Sequence, residues 1–376
     1  MVNVYIDPYS YVYLDNAFFK ENGEHDRDNA LSFWRYLKNY CLEKNINLNT
    51  IDFWNKDKST AEDVYVSFEH KNFLKRLYWR FKNKKYPRIE LNKFKKRILF
   101  QFELPIVVPE VYASVNNLFK VYDKIFFACK LNPIRDYKDR KKKQSEQISN
   151  GVNNQKVHYF HYFQTYNSVL ADYWNNSERG FLTMVNSNAT LQNFRKFLMT
   201  ILSTGKFPRL NYKELLSERI KAIEFFSRTN DIDLYGSKWN KLLPFPYWFL
   251  RKAIQRVYKG RAESKYATLS KYNFSICYES CIFPGYISEK IFDCFFAGNI
   301  PVYYGAPDIQ EHIPKNCFID RRDFKNYREL RIFLKSLTES EIKNYKENGR
   351  RFLESEKYRP FTKEYFAKIF VEACIN

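Results

Sequence analysis

Glu289 and Lys290 stand side by side, directly ahead of the apolar run IFDCFF. Ser288 in front of them is a residue type that caps helix starts, and Gly298 is one that ends helices. The spacing therefore predicts a short helix with the pair in its first turn. The unpaired N–H groups of that turn favour anions and make a lysine unfavourable, by about a few tenths of a kcal/mol. The arrangement makes chemical sense where a phosphate-bearing ligand sits on the helix end, its charge met by amides and ammonium together. Lys290 then neutralises a diphosphate, and Glu289 accepts hydrogen bonds from sugar or ribose hydroxyls. A solvated Glu–Lys pair at a helix end is the alternative that these residues leave open.

The segment before this helix, YNFSICYE, alternates Phe274, Ile276 and Tyr278 with Ser275, Cys277 and Glu279. Glu279 thus falls at the carboxyl end of a strand, where open α/β sheets bind ligands. Ile291, Phe292, Cys294, Phe295 and Phe296 form a wide apolar arc suited to packing on that sheet. A second strand-end carboxylate is Glu103, which follows Ile98–Phe102 in RILFQFELPIVVPEVY; Glu110, seven residues on, offers the same chemistry.

The elements that must position these groups alternate along the chain. VNVYI, NLNTIDFW, DVYVSFE, RILFQFE and KIFFACK read as strands, and helix-patterned stretches such as DNALSFWRYLKNYCLEKN lie between them. The second half repeats the scheme with FLTMVNSN, DIDLYG, YNFSICYE, IPVYYG and CFID. Strands interleaved with helices predict parallel sheets covered on both faces. The polar run IRDYKDRKKKQSEQISNGVNNQ reads as an exposed loop, and the polar gap YWNNSERG marks a boundary near residue 175.

At 376 residues, 45% of them hydrophobic, the chain has ample material for two medium domains. Its formal charge of +21 implies affinity for anions: phosphorylated small molecules, acidic membrane or nucleic acid. Lys, Asn, Ile, Tyr and Phe are abundant together, which has the look of a chain-wide codon bias and weakens the case for nucleic acid. The seven cysteines form no CxxC pair and lie in apolar surroundings, as reduced, buried thiols do. No run of about 18 apolar residues could cross a bilayer, and no signal peptide is evident. The expected location is the cytoplasm, with peripheral contact at the inner membrane face left open.

From Lys265 to about Phe333 the residues CYES, GYISEK, IPVYYGAPDI, EHIP and CFIDRRDF resemble the donor-binding region of family 10 glycosyltransferases, the α-1,3-fucosyltransferase family. There a strand ending in Phe-Glu-Asn precedes a Tyr-[Ile/Val]-Thr-Glu-Lys helix start and a Pro-Val/Ile strand ending in Gly. ERIKAIEFF, DLYGSKW and VYKGRAESK extend the similarity more weakly upstream. The resemblance implies an α/β fold of GT-B architecture, two Rossmann-like domains facing across a cleft. Residues 1–174 would take the acceptor and residues 175–376 the donor, with the last helix, FTKEYFAKIFVEAC, crossing back.

What the resemblance implies chemically is inverting transfer of fucose from GDP-fucose to a glycan hydroxyl, with α-1,3 linkage. Residue by residue, Arg219 and Lys290 face the diphosphate, Glu289 and Tyr286 hold the nucleoside, and Glu279 lines the nucleotide-sugar pocket. Ser280, Lys265 and Asn188 join the donor site, and Glu103 becomes the general base. Ser280 and Ser288 depart from the family's Asn and Thr, which leaves the sugar open and keeps a sibling enzyme with another nucleotide sugar as an alternative. A non-catalytic basic protein that binds membrane or nucleic acid is the other alternative. The partners implied are a nucleotide sugar and an oligosaccharide or lipid-linked glycan, as in lipopolysaccharide O-antigen assembly, and no nucleic acid. No cofactor is expected to be required, the nucleotide sugar being a substrate; a divalent metal is left open, without a clear motif to hold it.

Other patterns carry less. Asp231 and Asp233 spell D-x-D but lie within a strand pattern, and arginine and lysine can replace the metal such a motif holds. His158 and His161 face opposite sides of a strand, which prevents a shared ion. Cys277 and Cys281 lack further ligands nearby and are expected to pack. PFPYWFLRKAIQRVYKGR fits either an amphipathic element on anionic lipid or a solvated helix covering the sheet.

Overall fold

The computed structural model describes residues 1–21, 26–60, 62–113, 115–131, 156–188, 213–240 and 247–376. The polar run 134–155 and residues 244–246 of the basic aromatic stretch lie outside the described residues. The chain divides into two compact units, Met1–Thr165 with Lys363–Asn376, and Tyr166–Thr362.

In the first unit, strands β1 (Val2–Asp7), β2 (Ile46–Thr50), β3 (Val64–Ser67), β4 (Lys96–Gln101), β5 (Lys124–Phe127) and β6 (Val157–Tyr159) form one sheet. Its order is β2-β1-β3-β4-β5-β6, parallel throughout. The second unit has β7 (Gly180–Val185), β8 (Ile232–Tyr235), β9 (Tyr272–Tyr278), β10 (Ile300–Tyr304) and β11 (Ile319–Asp320), in the order β11-β10-β9-β7-β8. These strands are also all parallel. Among the described residues the helices of eight residues or more are α1 (Ser32–Glu43), α2 (Phe73–Lys82), α3 (Leu216–Arg228), α4 (Glu289–Phe296), α5 (Tyr327–Ser336), α6 (Glu339–Leu353) and α7 (Lys363–Ile375).

Alternation along β9 sends Phe274, Ile276 and Tyr278 to one face of the second sheet, where Ile220, Ile223 and Phe226 of α3 cover them. Cys277 goes to the opposite face, with Tyr303, and packs with Ile291, Phe292, Cys294, Phe295 and Phe296 of α4. Helices on both faces of a parallel sheet make this a Rossmann-like layer. Gly298, at φ +64, ends α4 one residue past Ala297, a left-handed position that glycine adopts without strain.

Tyr166, Val169, Leu170 and Tyr173 pack against this second aromatic core. The Leu170 N–H also donates to the Phe296 carbonyl at 2.9 Å. The second unit therefore begins at Tyr166, nine residues ahead of the boundary expected from the polar gap. The helix α7 belongs to the first unit, buried through Phe366, Phe370 and Val371. Phe370 stacks on Phe68 and Phe100, and the Lys96 ammonium donates to the Ile375 carbonyl at 2.7 Å, a cation at a helix C-terminus.

Phe370 is fully buried against β3 and β4, so Phe370→Ala is expected to destabilise the first unit by about 3–5 kcal/mol. Urea unfolding followed by fluorescence checks this; a change below about 1 kcal/mol would show that α7 is not part of that core.

Candidate functional site

The topology of the second sheet reverses between β7 and β9, since β8 flanks β7 on one side and β9, β10 and β11 extend on the other. Crevices at such switch points, beyond the carboxyl ends of the strands, are where α/β sheets bind ligands. Arg219, from the first turn of α3, bridges the two strand ends. It donates from Nη2 to the Tyr278 carbonyl at 2.6 Å and from Nη1 to Asn186 Oδ1 at 3.4 Å. The residue is 4% exposed. Its Nε has no hydrogen-bond partner among the described residues. Burial pulls the guanidinium pKa down, opposed first by Glu279, yet arginine stays protonated in proteins. A buried, permanently charged donor with an unused N–H is thus held at the switch point.

Glu279, one residue beyond β9, is fully buried. Its Oε1 accepts the Ser288 backbone N–H at 2.9 Å, and the Ser288 hydroxyl reaches both carboxylate oxygens at 2.8–2.9 Å. Ser288 occupies the N-cap position of α4 as expected, but its side chain makes no cap bond to its own helix. Glu279 supplies the anion at that helix end instead. Lys290 points its ammonium at the same group, 3.3 Å from Glu279 Oε2 and 3.2 Å from Glu289 Oε1, while donating to Ser288 Oγ at 2.8 Å. The two carboxylates outweigh burial and Arg219, and hold the Lys290 pKa above its usual value. The lysine at the helix start therefore has carboxylate partners within the chain.

Lys265 extends the cluster. It pairs with Asp293 at 2.8 Å from the short helix Lys265–Leu269, which Ser264 caps. Burial pushes the Asp293 carboxyl up to about 6 against the pull of Lys265. Glu289, held by Lys290 and then Lys265 against its desolvation, drops to about 2. Gly305 closes the floor: a Cβ there would come 2.5 Å from Glu279 Cγ and closer still to the Tyr303 hydroxyl. Two more cations stand at neighbouring strand ends. Lys213 donates to the Tyr304 hydroxyl at 3.2 Å, and Arg322 forks onto Asp320 at 2.7–3.2 Å.

The structure gathers Arg219, Glu279, Glu289, Lys290 and Lys265 into one charged cluster. Tyr286 is buried in the loop leading to α4, and the Ser280 carbonyl accepts the Leu215 N–H at 3.0 Å, tying that loop to α3. Asn188 lies on the loop after β7, where its backbone and side chain donate to the carbonyls of Ser237 and Lys238. Glu103 belongs to the first unit, an exposed residue past β4 whose carbonyl accepts from Tyr112 at 2.9 Å. Its carboxylate adds to the raised pKa of Tyr9, behind burial and Tyr13. Sequence reasoning missed Asn186, Asp293 and Gly305. Asn186 follows β7 by one residue, so the strand-end rule applied to Glu279 could have found it.

The other patterns resolve as structural. Asp231 is held by Arg331 and Lys335, while Asp233 accepts from the Tyr272 hydroxyl and pairs with Lys259. The two carboxylates of the D-x-D thus serve separate partners. Among the described residues a compact set of metal-type ligands occurs at Asp308, Glu311 and His312, where Asp308 already accepts the Gly285 N–H at 2.8 Å. His158 stacks on Phe126, and His161 bonds the Tyr159 hydroxyl at 3.0 Å. All seven cysteines are buried thiols. No helix among the described residues is long and apolar enough to cross a membrane.

Residues 210–374 match the family model described as glycosyltransferase family 10 (fucosyltransferase), C-terminal. The chain is 36% identical over 75 residues to the α-(1,3)-fucosyltransferase FucT of Helicobacter pylori, a stretch covering 20% of this chain and 16% of that protein. It is 32% identical over 97 residues to 4-galactosyl-N-acetylglucosaminide 3-α-L-fucosyltransferase 9 of Mus musculus, covering 23% and 27%. Each match thus spans under a third of the relative's length. An α-glucosyltransferase solved with UDP and a 13-mer DNA aligns over 100% of both chains with TM-score 0.51 at 10% identity. Two Rossmann-like parallel units in one chain are the fold of the GT-B glycosyltransferases. Residues 210–374 are thus similar to the C-terminal domain of glycosyltransferase family 10.

The depressed Glu289 pKa has a stability consequence. A carboxylate lowered from 4.5 to about 2 stabilises the fold above pH 4.5, and that contribution disappears as pH falls through 2. Glu289→Gln is expected to lower the urea midpoint at pH 7 and to converge on the unsubstituted protein near pH 2. A gap that stays constant across that range would contradict the assignment.

Proposed function

We propose that this protein is an inverting glycosyltransferase that moves fucose from GDP-fucose to a glycan hydroxyl, with α-1,3 linkage. The observation that carries the reading is Arg219, buried at the switch point of the second sheet with an unused Nε donor. The family 10 domain spanning the same residues supports it. Glu103 removes the acceptor hydroxyl's proton as its oxygen bonds to the anomeric carbon. The bond from that carbon to the diphosphate breaks, and its electron pair leaves with GDP. Arg219 and Lys290 stabilise the charge that grows there, the work a divalent ion does in other enzymes, so the reaction as read requires no cofactor.

Without a ligand, the three Lys290 donors are engaged by Ser288, Glu279 and Glu289. A diphosphate would enter by exchange. Lys290 turns from Glu289 to phosphate oxygens, and Glu289 is released to accept from ribose hydroxyls beside Tyr286. Lys265, Ser280 and Asn188 complete the donor pocket in this reading. An oligosaccharide or lipid-linked glycan, as in O-antigen assembly, is the acceptor, met at a cytoplasmic membrane face. Ser280 in place of the family's Asn favours, as a second reading, a sibling that takes another nucleotide sugar.

GDP is expected to raise the melting temperature, as a ligand specific for the folded state does. Lys290→Met, which removes one charge-assisted hydrogen bond, is expected to weaken GDP binding by about 10- to 100-fold. Glu103→Gln is expected to keep the GDP shift and lose about 100- to 10,000-fold in turnover. Full turnover in that variant would overturn the base assignment, and no saturable GDP shift in the unsubstituted protein would overturn the donor site. Product analysis against a panel of nucleotide sugars separates fucose from its siblings.

A further inference from the structure

We propose that the outward face of α2, with the adjoining residues 84–88, is a docking surface for anionic lipid. The stretch KNFLKRLYWRFKNKKYPRI, residues 71–89, has eight lysines and arginines and no acidic residue. Its helix is turned against the usual rule. Phe73, Leu74, Leu77, Tyr78 and Phe81 are all exposed, Phe73 by 76% and Phe81 by 83%. At about 100° per residue these five occupy one continuous arc of about 140°, with Arg80 on one margin and Lys82 on the other. Phe81, Leu77 and Leu74 also line an open groove of about 850 Å³ with Tyr86 and Pro87.

The orientation is imposed from inside. Lys71, just ahead of the helix, forms a fully buried ion pair with Asp7 at 3.1 Å and lies 4.7 Å over the buried Trp79 ring. Arg76 donates to the Tyr65 hydroxyl at 3.2 Å, Lys75 pairs with Glu69, and Asn72 caps the helix through the Lys75 N–H at 2.8 Å. These polar ties hold the Lys75–Arg76–Trp79 side against the sheet and leave the apolar side without a protein partner among the described residues.

An apolar stripe bordered by cations is the pattern of a helix lying in a lipid headgroup layer, with rings in the acyl boundary and ammonium groups on phosphates. Exposed Arg80, Lys82, Lys84 and Arg88 sit within reach of such phosphates, as does Lys85, which shares Asp15 with Lys20. A second copy of this chain is a poorer occupant, because two such faces would oppose cation to cation. Nucleic acid leaves Leu74 and Leu77 without a role, since bases stack on aromatic rings. The surface is separate from the basic aromatic stretch at 247–257, where Trp248 and Phe249 are also exposed beside Arg251 and Lys252. It rests on packing alone and is independent of the catalytic reading.

The experiment is co-sedimentation of the full chain with vesicles of phosphatidylcholine alone or mixed with phosphatidylglycerol, at low and high salt. The protein is expected to bind the anionic vesicles at low salt, the neutral ones far less, and to release with salt. Leu77→Ser with Phe81→Ser is expected to lower the bound fraction at least tenfold with the melting temperature unchanged, while Trp248→Ser with Phe249→Ser keeps most of the binding. In a separate variant, Phe81→Trp, an emission blue shift on adding anionic vesicles is expected. Four outcomes would each overturn the proposal: equal binding to both vesicle types, full binding by the Leu77/Phe81 double variant, no emission shift from Phe81→Trp, or a dimer that the double variant dissolves.

Discussion

A carboxylate with no exposure to water, at the junction of a strand and a helix, is the constraint from which the second unit is built. Removing Glu279 from solvent costs several kcal/mol unless its oxygens are met. They are met by a backbone N–H, a hydroxyl and an ammonium that all come from the first turn of α4. The carboxylate therefore fixes where α4 begins, how far its apolar arc rotates onto Cys277 and Tyr303, and where Lys290 points. Gly305 is required because any side chain there would displace the same carboxylate. Arg219 approaches from the opposite face of the sheet and latches the strand that delivers Glu279 through the Tyr278 carbonyl. Three elements with unrelated local sequences are held in register by one anion.

The first unit solves its own switch point in a parallel way. There β1 ends at Asp7 between β2 and β3, and the buried Asp7 carboxylate takes Lys71, with the hydroxyls of Tyr65 and Tyr86 at 2.5 and 3.0 Å. The outcome differs because the partners differ. Around Asp7 the ring is closed by side chains that have almost no exposure of their own, so the crevice is filled by structure. Around Glu279 the partners are a lysine that is a quarter exposed and a glutamate that is two-fifths exposed. Those two can change partners without opening the core, whereas the ring around Asp7 is a buried brace.

Much of this was legible in the sequence because period and punctuation agree. The strands expected from VNVYI to CFID formed, although the one read through His158 and His161 stops at Tyr159, and the helix at 289–296 starts and stops at Ser288 and Gly298 as the cap rules require. Glu279, Glu289 and Lys290 were placed at element ends by their spacing and Arg219 by the resemblance alone, and the fold brings the four together. What the sequence concealed was the partner list. Spacing places Lys290 on a helix start, but only the fold shows that Glu279, well upstream, has already occupied that start. The unit boundary was misread at Tyr166 because a polar gap is visible in sequence, whereas the packing of Tyr166 on Tyr266 and Phe296 is a tertiary fact. Likewise the outward turn of the apolar side of α2 is a tertiary fact, set by Lys71, Lys75 and Arg76, whose partners are Asp7, Glu69 and Tyr65.

The charge inventory of the second unit shows how a buried group of cations is kept stable by the chain's own carboxylates. Arg219, Lys265 and Lys290 are balanced by Glu279, Glu289 and Asp293, so the unliganded cluster carries little net charge into a region of low dielectric. The balance is uneven in strength. Glu279 is locked by backbone and hydroxyl as well as by charge, and Asp293 lies nearest to taking up a proton, its carboxyl pushed up to about 6. Glu289, the most solvent-exposed of the three, is held down to about 2 by Lys290 and Lys265 against its desolvation. Of the three carboxylates it is the one that water reaches, at two-fifths exposed against none for Glu279 and about a tenth for Asp293, so solvent could meet its charge if Lys290 turned to another anion.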